Sequence, residues 1–184
     1  MKVTLLQGGA KKKGNTALVL GFVEDELKKL GHETSVIYLH DKNLKGCTGC
    51  AICKTKPDTI GCILEDDMEE VLREMVASEA VVFSSPLYFW GLNSQLKSVI
   101  DRSYSLYTKE GSLVEGQYQA LLVTGHGDFK GNAEEAFTTF ARIQAYHKSI
   151  HAGELYVGGC ASPLDMPATV ETQAREFARS ILPL

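Results

Sequence analysis

The chain has 184 residues, 44% of them apolar and 23% charged, and carries a formal net charge of −4. That is enough chain to bury a full core in one domain, expected over residues 1–184, and its acidic balance argues against nucleic acid as a partner, since no basic surplus exists to neutralise phosphates. No apolar run reaches the roughly 18 residues of a membrane span, and Met1-Lys2-Val3 runs straight into a strand pattern without a leader signature, so a cytoplasmic protein is expected.

The first strand is predicted at Val3–Gln7, a nearly continuous apolar run suited to burial on both faces. Gly8 to Gly14 form a glycine-bearing loop. A helix opens near Asn15, with Leu20, Val23, Leu27 and Leu30 at helical spacing and Gly31 as its stop. The second strand is expected at Glu33–Leu39. A long irregular stretch, 40–65, follows; loops of that length are uncommon without a function. Asp66-Asp67 suit a helix start, followed by the stripe Met68, Val71, Leu72 and Met75.

Ala80–Ser84 is the third predicted strand, followed by a loop over Ser85–Leu92 and a helix from about Asn93 with Leu96, Val99 and Ile100 facing inward. Tyr107–Gly116 reads as polar loop. Gln119–Thr124 is the fourth strand, ending in Gly125-His126-Gly127-Asp128. A helix from Asn132 carries Ala136, Phe137 and Phe140. Ile150–Val157 is the fifth strand, and Val170, Ala174, Phe177 and Ile181 mark a closing helix. Strands alternating with helices imply a parallel sheet covered on both faces. Ligands of such α/β sheets bind outside the carboxyl ends of the strands. The glycine-bearing loops after strands one, three and four are therefore expected to converge on one site.

The first of these loops, Gly8-Gly9-Ala10-Lys11-Lys12-Lys13-Gly14-Asn15-Thr16, is an anion site by construction. Unpaired N–H groups and the positive end of a helix dipole meet there. It comes close to a P-loop: Gly9, Gly14 and Thr16 fit, but Asn15 stands where the catalytic lysine belongs, which argues against triphosphate hydrolysis. The dinucleotide fingerprint is absent as well. A terminal monophosphate is the better fit. After strand three, Pro86-Leu87-Tyr88-Phe89-Trp90-Gly91 place large apolar and aromatic side chains at a strand end, where something flat is expected to cover them. A planar ring system bearing one phosphate is FMN. Packing of the same rings in a subunit interface is a compatible alternative.

On these motifs the chain resembles the flavodoxin-fold NAD(P)H-dependent FMN reductases, in the branch that includes the iron–sulfur flavoproteins. The marks are Gly14-Asn15-Thr16, the cluster Cys47 to Cys62 followed by Asp66-Asp67-Met68, and Ser85 to Gly91 followed by Gln95-Leu96-Lys97 and Ile100-Asp101-Arg102. The resemblance implies an α/β flavodoxin-like three-layer sandwich with a five-stranded parallel sheet in the order 2-1-3-4-5. It implies that Gly9, Lys11, Asn15, Thr16 and Ala17 bind the FMN phosphate. Pro86, Leu87, Tyr88, Phe89 and Trp90 would line the isoalloxazine, and Gly125 and His126 would approach the ring or ribityl chain. This chain has Gly9-Ala10 where the family often has Ser-Pro. NAD(P)H is the implied cosubstrate, a small molecule the electron acceptor, and a homo-oligomer, dimer or tetramer, the assembly. An electron carrier or redox-sensing module without NAD(P)H turnover is the alternative; a net charge of only −4 disfavours it, because such carriers use strongly charged docking faces.

Four of the five cysteines crowd into the long loop. Cys47, Cys50 and Cys53 are spaced two residues apart, and Cys62 follows after eight more. Three readings stand side by side: ligands of a 4Fe–4S cluster, a zinc site, or free thiols beside the flavin. Cys160 reads as a small buried hydrophobe. His126, between two glycines at a strand end, has two readings, a hydrogen-bond partner of a flavin or hydride donor and a partly exposed loop histidine; no other catalytic side chain is expected, Asp66-Asp67 read as a helix cap and Asp101-Arg102 as ion-pairing residues.

Overall fold

The structure, a computed structural model, describes residues 1–55, 60 and 62–182. Its elements in chain order are β1 (Lys2–Gln7), α1 (Asn15–Lys29), β2 (Glu33–Tyr38), α2 (Met68–Val76), β3 (Ala80–Tyr88), β4 (Gly91–Leu92), α3 (Ser94–Arg102), β5 (Tyr107–Thr108), β6 (Gly111–Ser112), β7 (Tyr118–Thr124), α4 (Glu134–His147), β8 (Ile150–Val157) and α5 (Val170–Ser180). The main sheet runs β2-β1-β3-β7-β8, all parallel. With the short strands β4, β5 and β6 set aside, this is the expected order 2-1-3-4-5 of a flavodoxin-like fold.

The apolar strand runs split their side chains between two cores, as the two-residue period of a pleated strand requires. Leu6, Val81, Phe83, Leu121 and Val123 point to one face, where α2, α3 and α4 bring Met68, Leu72, Leu96, Val99 and Phe140. Val3, Leu5, Ala80, Val82, Ala120 and Leu122 point to the other, where α1 and α5 bring Val19, Val23, Leu27, Ala174 and Phe177. Each fully buried Leu, Val or Phe contributes about 1.5–3 kcal/mol. Two filled cores therefore hold the strand ends rigidly, and the site is built at those ends.

α1 stops where Gly31 adopts φ +83°. The Gly31 N–H donates to Lys28 O and the His32 N–H to Leu27 O, both at 3.0 Å, which closes the helix as a Schellman motif. Leu30 is 37% exposed and caps the helix rather than continuing its buried stripe. β3 does not end at Ser84. It continues to Tyr88, pairing Ser85 with Val123 and Pro86 with Thr124, and then turns back through β4. Pro86 fits because only one neighbour claims its backbone there. Tyr107–Gly116 is likewise not plain loop, since β5 and β6 form a small hairpin within it. α4 begins at Glu134. In the stretch 40–65, short 3-10 turns form at Leu39–Asp41 and Ile52–Lys54; residues 56–59 and 61 of that stretch lie outside the described residues.

Candidate functional site

Four loops, not three, meet at the carboxyl edge of the sheet. They surround a cleft of about 520 Å³. The loop after β1 contributes Gly9, Lys11, Asn15 and Thr16, the end of β3 contributes Pro86, Leu87 and Tyr88, and the loop after β7 contributes Gly125 and His126. These nine expected residues come together. Ala10, Lys13, Gly14 and Thr124 join them, as does a fourth segment after β8, Cys160 to Pro163. Ala17, Phe89 and Trp90 do not line the cleft.

The loop after β1 is set by close approach. A Cβ on Gly8 would meet Asn93 Oδ1 at 2.5 Å and Ser84 O at 2.8 Å, so only glycine lets the chain pass. Gly14 is the N-cap of α1 and supplies no side-chain cap, so the N–H groups of the first turn keep their capacity for an anion. Ala17 belongs to that turn, with its side chain outside the cleft wall. Of the three lysines, Lys11 and Lys13 line the cleft. Lys12 turns away, pairing with Asp41 at 2.5 Å and lying 5.3 Å from the Tyr38 ring centroid.

Asn15 and Thr16 are committed within the protein. Asn15 Nδ2 donates to Cys160 O at 2.8 Å, tying the first loop to the fourth. Its Oδ1 is buried with no partner among the described residues. The Thr16 hydroxyl shares a buried hydrogen bond of 2.7 Å with Thr124, which fixes the start of α1 against the end of β7. Thr16 therefore offers a ligand its backbone N–H, with its hydroxyl shared with Thr124.

The end of β3 forms a tight hairpin. Tyr88 pairs with Gly91 across a two-residue turn made by Phe89 (φ 46°) and Trp90 (φ 63°). Both residues are left-handed, the signature of a type I′ turn normally built from Asn and Gly. Such conformations cost bulky residues about 1–3 kcal/mol each. Pro86, Leu87 and Tyr88 form an apolar wall of the cleft, while Phe89 is 95% exposed and Trp90 55% exposed at the hairpin tip. Of the five residues expected to face the ring, Pro86, Leu87 and Tyr88 line the cleft, and Phe89 and Trp90 stand at the hairpin tip.

On the opposite side, the loop after β7 packs against that after β8. The Gly125 N–H donates to Val157 O, the Gly159 N–H to His126 O and the Cys160 N–H to Gly125 O. Tyr156 Oη donates to Gly127 O at 2.7 Å. A Cβ on Gly125 would lie 2.4 Å from that hydroxyl, and one on Gly158 2.7 Å from Gly127 O. The glycines are what let these loops interlock. His126 is exposed at the cleft mouth. Cys160 is buried, as expected, and burial pushes its thiol up, so it stands as a neutral wall residue. The fourth loop was missed in the sequence because it has no periodicity; Gly158-Gly159 followed by Ser162-Pro163 at a strand end was the available signal.

The cysteine loop is a separate construction. Its base is fastened by hydrogen bonds between Asn43 and Asp67 and between Lys45 and Asp66. Arg102, buried at the end of α3, pairs with Asp66 and donates to Lys45 O. Burial pushes the Asp66 carboxyl up, but the Arg102 guanidinium and the N–H groups of Lys45 and Met68 outweigh it and hold the group below the usual carboxylate range. Asp66 is thus one half of a buried ion pair as well as a cap. Removing one partner of such a pair costs about 3–5 kcal/mol.

Within the loop, Cys47 and Cys50 are exposed and Cys53 and Cys62 half-buried, all four as free thiols. The Ile52 N–H and the Thr48 hydroxyl hold the Cys50 thiol below its usual range. Burial pushes Cys53 up; Lys54 opposes this, and Cys62, Cys50 and Cys47 add to it through charge. The donor chemistry suits a soft metal, but among the described residues no three Cys, His, Asp or Glu side chains are grouped closely enough to hold an ion.

The first 157 residues match the family model for NADPH-dependent FMN reductase. An iron–sulfur flavoprotein of Methanocaldococcus jannaschii is 37% identical over 106 residues, covering 58% of this chain and 53% of that protein. One of Archaeoglobus fulgidus is 39% identical over 103 residues, covering 56% and 49%. The chain therefore spans about half the length of these two relatives in the matched regions. Among solved structures, an NAD(P)H:quinone oxidoreductase from Methanothermobacter marburgensis superposes with a TM-score of 0.76 at 20% identity, covering 100% of this chain and 97% of that one. An FMN-dependent NADH-azoreductase from Bacillus anthracis, solved in complex with FMN, superposes with a TM-score of 0.73 at 14% identity, covering 97% and 98%. These structures share the fold, and with the family model matched along residues 1–157 the chain belongs to the NADPH-dependent FMN reductase family.

Proposed function

We propose that the chain is an FMN-dependent oxidoreductase that takes hydride from NAD(P)H and passes electrons to a small-molecule acceptor, a quinone, a flavin or a similar compound. The observation that carries this is the two-ended character of the cleft. One end is a helix N-terminus flanked by Lys11 and Lys13, and the other is the apolar wall of Pro86, Leu87 and Tyr88. A monophosphate suits the first and a planar ring the second. When bound, FMN supplies the hydride and electron chemistry itself.

The chain's own contribution is grip and exclusion. First-turn N–H groups from Asn15 to Ala17 receive the phosphate, and Gly9 lets it approach the backbone. The orphaned Asn15 Oδ1 is a buried acceptor that suits a ribityl hydroxyl. Pro86, Leu87 and Tyr88 keep water from one side of the ring, and Gly125 leaves room for the other edge. His126, exposed at the mouth, is placed to hydrogen-bond the ring or the incoming donor. Anaerobic addition of NADH or NADPH to the FMN-loaded protein tests the reading. Bleaching of the flavin absorbance is expected, whereas a flavin that only dithionite reduces would leave the electron-carrier alternative.

The names of the relatives and the four soft donors on one fastened loop support a finer reading, in which Cys47, Cys50, Cys53 and Cys62 hold a 4Fe–4S cluster. No step is assigned to it. Anaerobic purification with iron and sulfide analysis decides between cluster and free thiols. The exposed, strained Phe89-Trp90 tip supports assembly as a homo-oligomer, with sedimentation as its test.

A further inference from the structure

Between the flavin cleft and the cysteine loop lies one continuous piece of structure, α3 and the turn behind it. At its front, the Asn93 N–H donates to Ser85 Oγ at 2.9 Å, and Asn93 Nδ2 donates to Gly8 O, so α3 starts against two cleft-forming segments. Nine residues later, about 14 Å along the axis at 1.5 Å per residue, α3 ends in Arg102, whose buried side chain fastens the base of the cysteine loop. The turn Ser103–Leu106 and the start of β5 then present Tyr104 and Tyr107 to the loop's other part. Lys54 Nζ donates to Tyr104 O at 2.5 Å and Tyr107 O at 2.6 Å, and it lies 3.8 Å from the Tyr104 ring centroid. Lys54 directly follows Cys53 and closes the 3-10 turn that carries it.

Two cations thus hold the cysteine loop to one segment at two points: Arg102 at the base and Lys54 beside a thiol. Surface lysines rarely fix a loop, because exposed ion pairs are weak. This lysine differs in donating to two carbonyls while lying over an aromatic face, an arrangement that orders its whole side chain. The loop's own apolar residues Leu44 and Ile60 pack onto the core that α3 also covers, so the contacts reinforce one another.

We propose that Lys54 and Arg102 are the positioning residues of the thiol set, mounting it on α3 so that it keeps a fixed place relative to the flavin cleft. Lys54 holds the Cys53 turn half-buried, and Arg102 keeps the two ends of the loop together. Neither residue touches the cleft. The inference concerns where the thiols are held and stands whether they carry a cluster, another soft metal or nothing. It is therefore separable from the oxidoreductase reading and from the iron–sulfur reading.

The test is site-resolved alkylation of the purified full chain, reduced and chelator-treated, by iodoacetamide with mass-spectrometric quantification. Cys160, buried in the cleft wall, reports on global opening in the same tube. In Lys54→Met and in Arg102→Met, Cys53 is expected to react at least about tenfold faster, the ratio that 1.4 kcal/mol of local opening gives. In Lys54→Met the Cys160 rate and the FMN dissociation constant are expected to stay at their unaltered values, whereas Arg102→Met, which strands the buried Asp66 carboxylate, is read as the ratio of the Cys53 rate to the Cys160 rate. Lys54→Arg, which keeps the charge and the donors, is expected to restore the slow rate. If Arg102→Met does not fold, the charge-neutral double variant Arg102→Met/Asp66→Leu takes its place. Affinity for Cd2+, read from thiolate-to-metal absorbance, is expected to fall at least about tenfold in the same variants. An unchanged Cys53 rate in Lys54→Met, or a Cys160 rate that rises in step with Cys53, overturns the proposal. Failure of the unaltered chain to take up Cd2+ counts against the cluster reading alone, since the alkylation ratios decide the mount.

Discussion

Replacing Gly125 by alanine tests how the cleft is built. The added Cβ would lie 2.4 Å from Tyr156 Oη, 3.2 Å from Cζ and 3.3 Å from Cε2. Tyr156 cannot simply swing aside, because its hydroxyl donates to Gly127 O and its ring packs edge-on against Phe129 and Phe137. Displacing it forfeits a hydrogen bond worth about 1 kcal/mol and adds overpacking of about 1–3 kcal/mol. The combined 2–4 kcal/mol, roughly, falls on the two loops that form one side of the cleft. If half of it reaches the ligand, FMN affinity drops about fivefold to thirtyfold. Titration of FMN fluorescence measures this, with far-UV circular dichroism confirming the fold. Tyr156→Phe removes the worst overlap, so the double variant is expected to recover part of the loss, a coupling that a double-mutant cycle isolates. An unchanged dissociation constant in Gly125→Ala would refute the packing argument. A loss that Tyr156→Phe leaves untouched would place the clash with the ligand instead.

Other outcomes follow from the same geometry. Lys13→Ala is expected to weaken FMN binding by about fivefold or more and to flatten its salt dependence, whereas Lys12→Ala, whose ammonium is paired with Asp41, changes neither; titrations at two ionic strengths separate them. Exchanging the turn by Phe89→Asn with Trp90→Gly is expected to raise chain stability by about 2 kcal/mol or more in urea by relieving the left-handed strain at both positions, and to weaken self-association seen by sedimentation. His147 is buried between the hydroxyls of Ser103 and Ser112, and burial, with Lys54 nearby, pushes its imidazole from 6.5 down to about 4. Between those two values the unfolded chain takes up a proton that the folded chain refuses. The His147 contribution is therefore full above the upper value and falls by about 3 kcal/mol as pH drops to the lower one; urea midpoints across that range follow it, and His147→Gln is expected to reduce the slope to the part left by the carboxylates.

The strands were legible because burial on both faces demands apolar runs, and Val3–Gln7 or Ala80–Ser84 have no other reading. The loop after β1 was legible as a strand-to-helix turn because Gly8, Gly14 and Asn15 sit where a strand meets a helix. What escaped was set by tertiary contact. Nothing in Phe89-Trp90 signals a type I′ turn, since its usual residues are Asn and Gly, so the extension of β3 and its hairpin went unseen. The fourth loop carries its contribution on the backbone, through Cys160 O and the close glycines, and backbone roles leave little trace in composition. Asp66 and Arg102 lie 36 residues apart, and their pairing follows only from how α3 packs. His147 was unassigned because its partners, two serines, come from other elements.

The central claim is that the cleft between Lys13 and Tyr88 holds FMN and that NAD(P)H reduces it there. The most direct measurement is anaerobic spectroscopy of the purified chain, titrated first with FMN and then with NADPH or NADH. The account predicts saturable uptake of one FMN per chain, followed by loss of flavin absorbance on addition of the nicotinamide. A chain that takes up no FMN, with a spectrum equal to that of free flavin at every ratio, would contradict it.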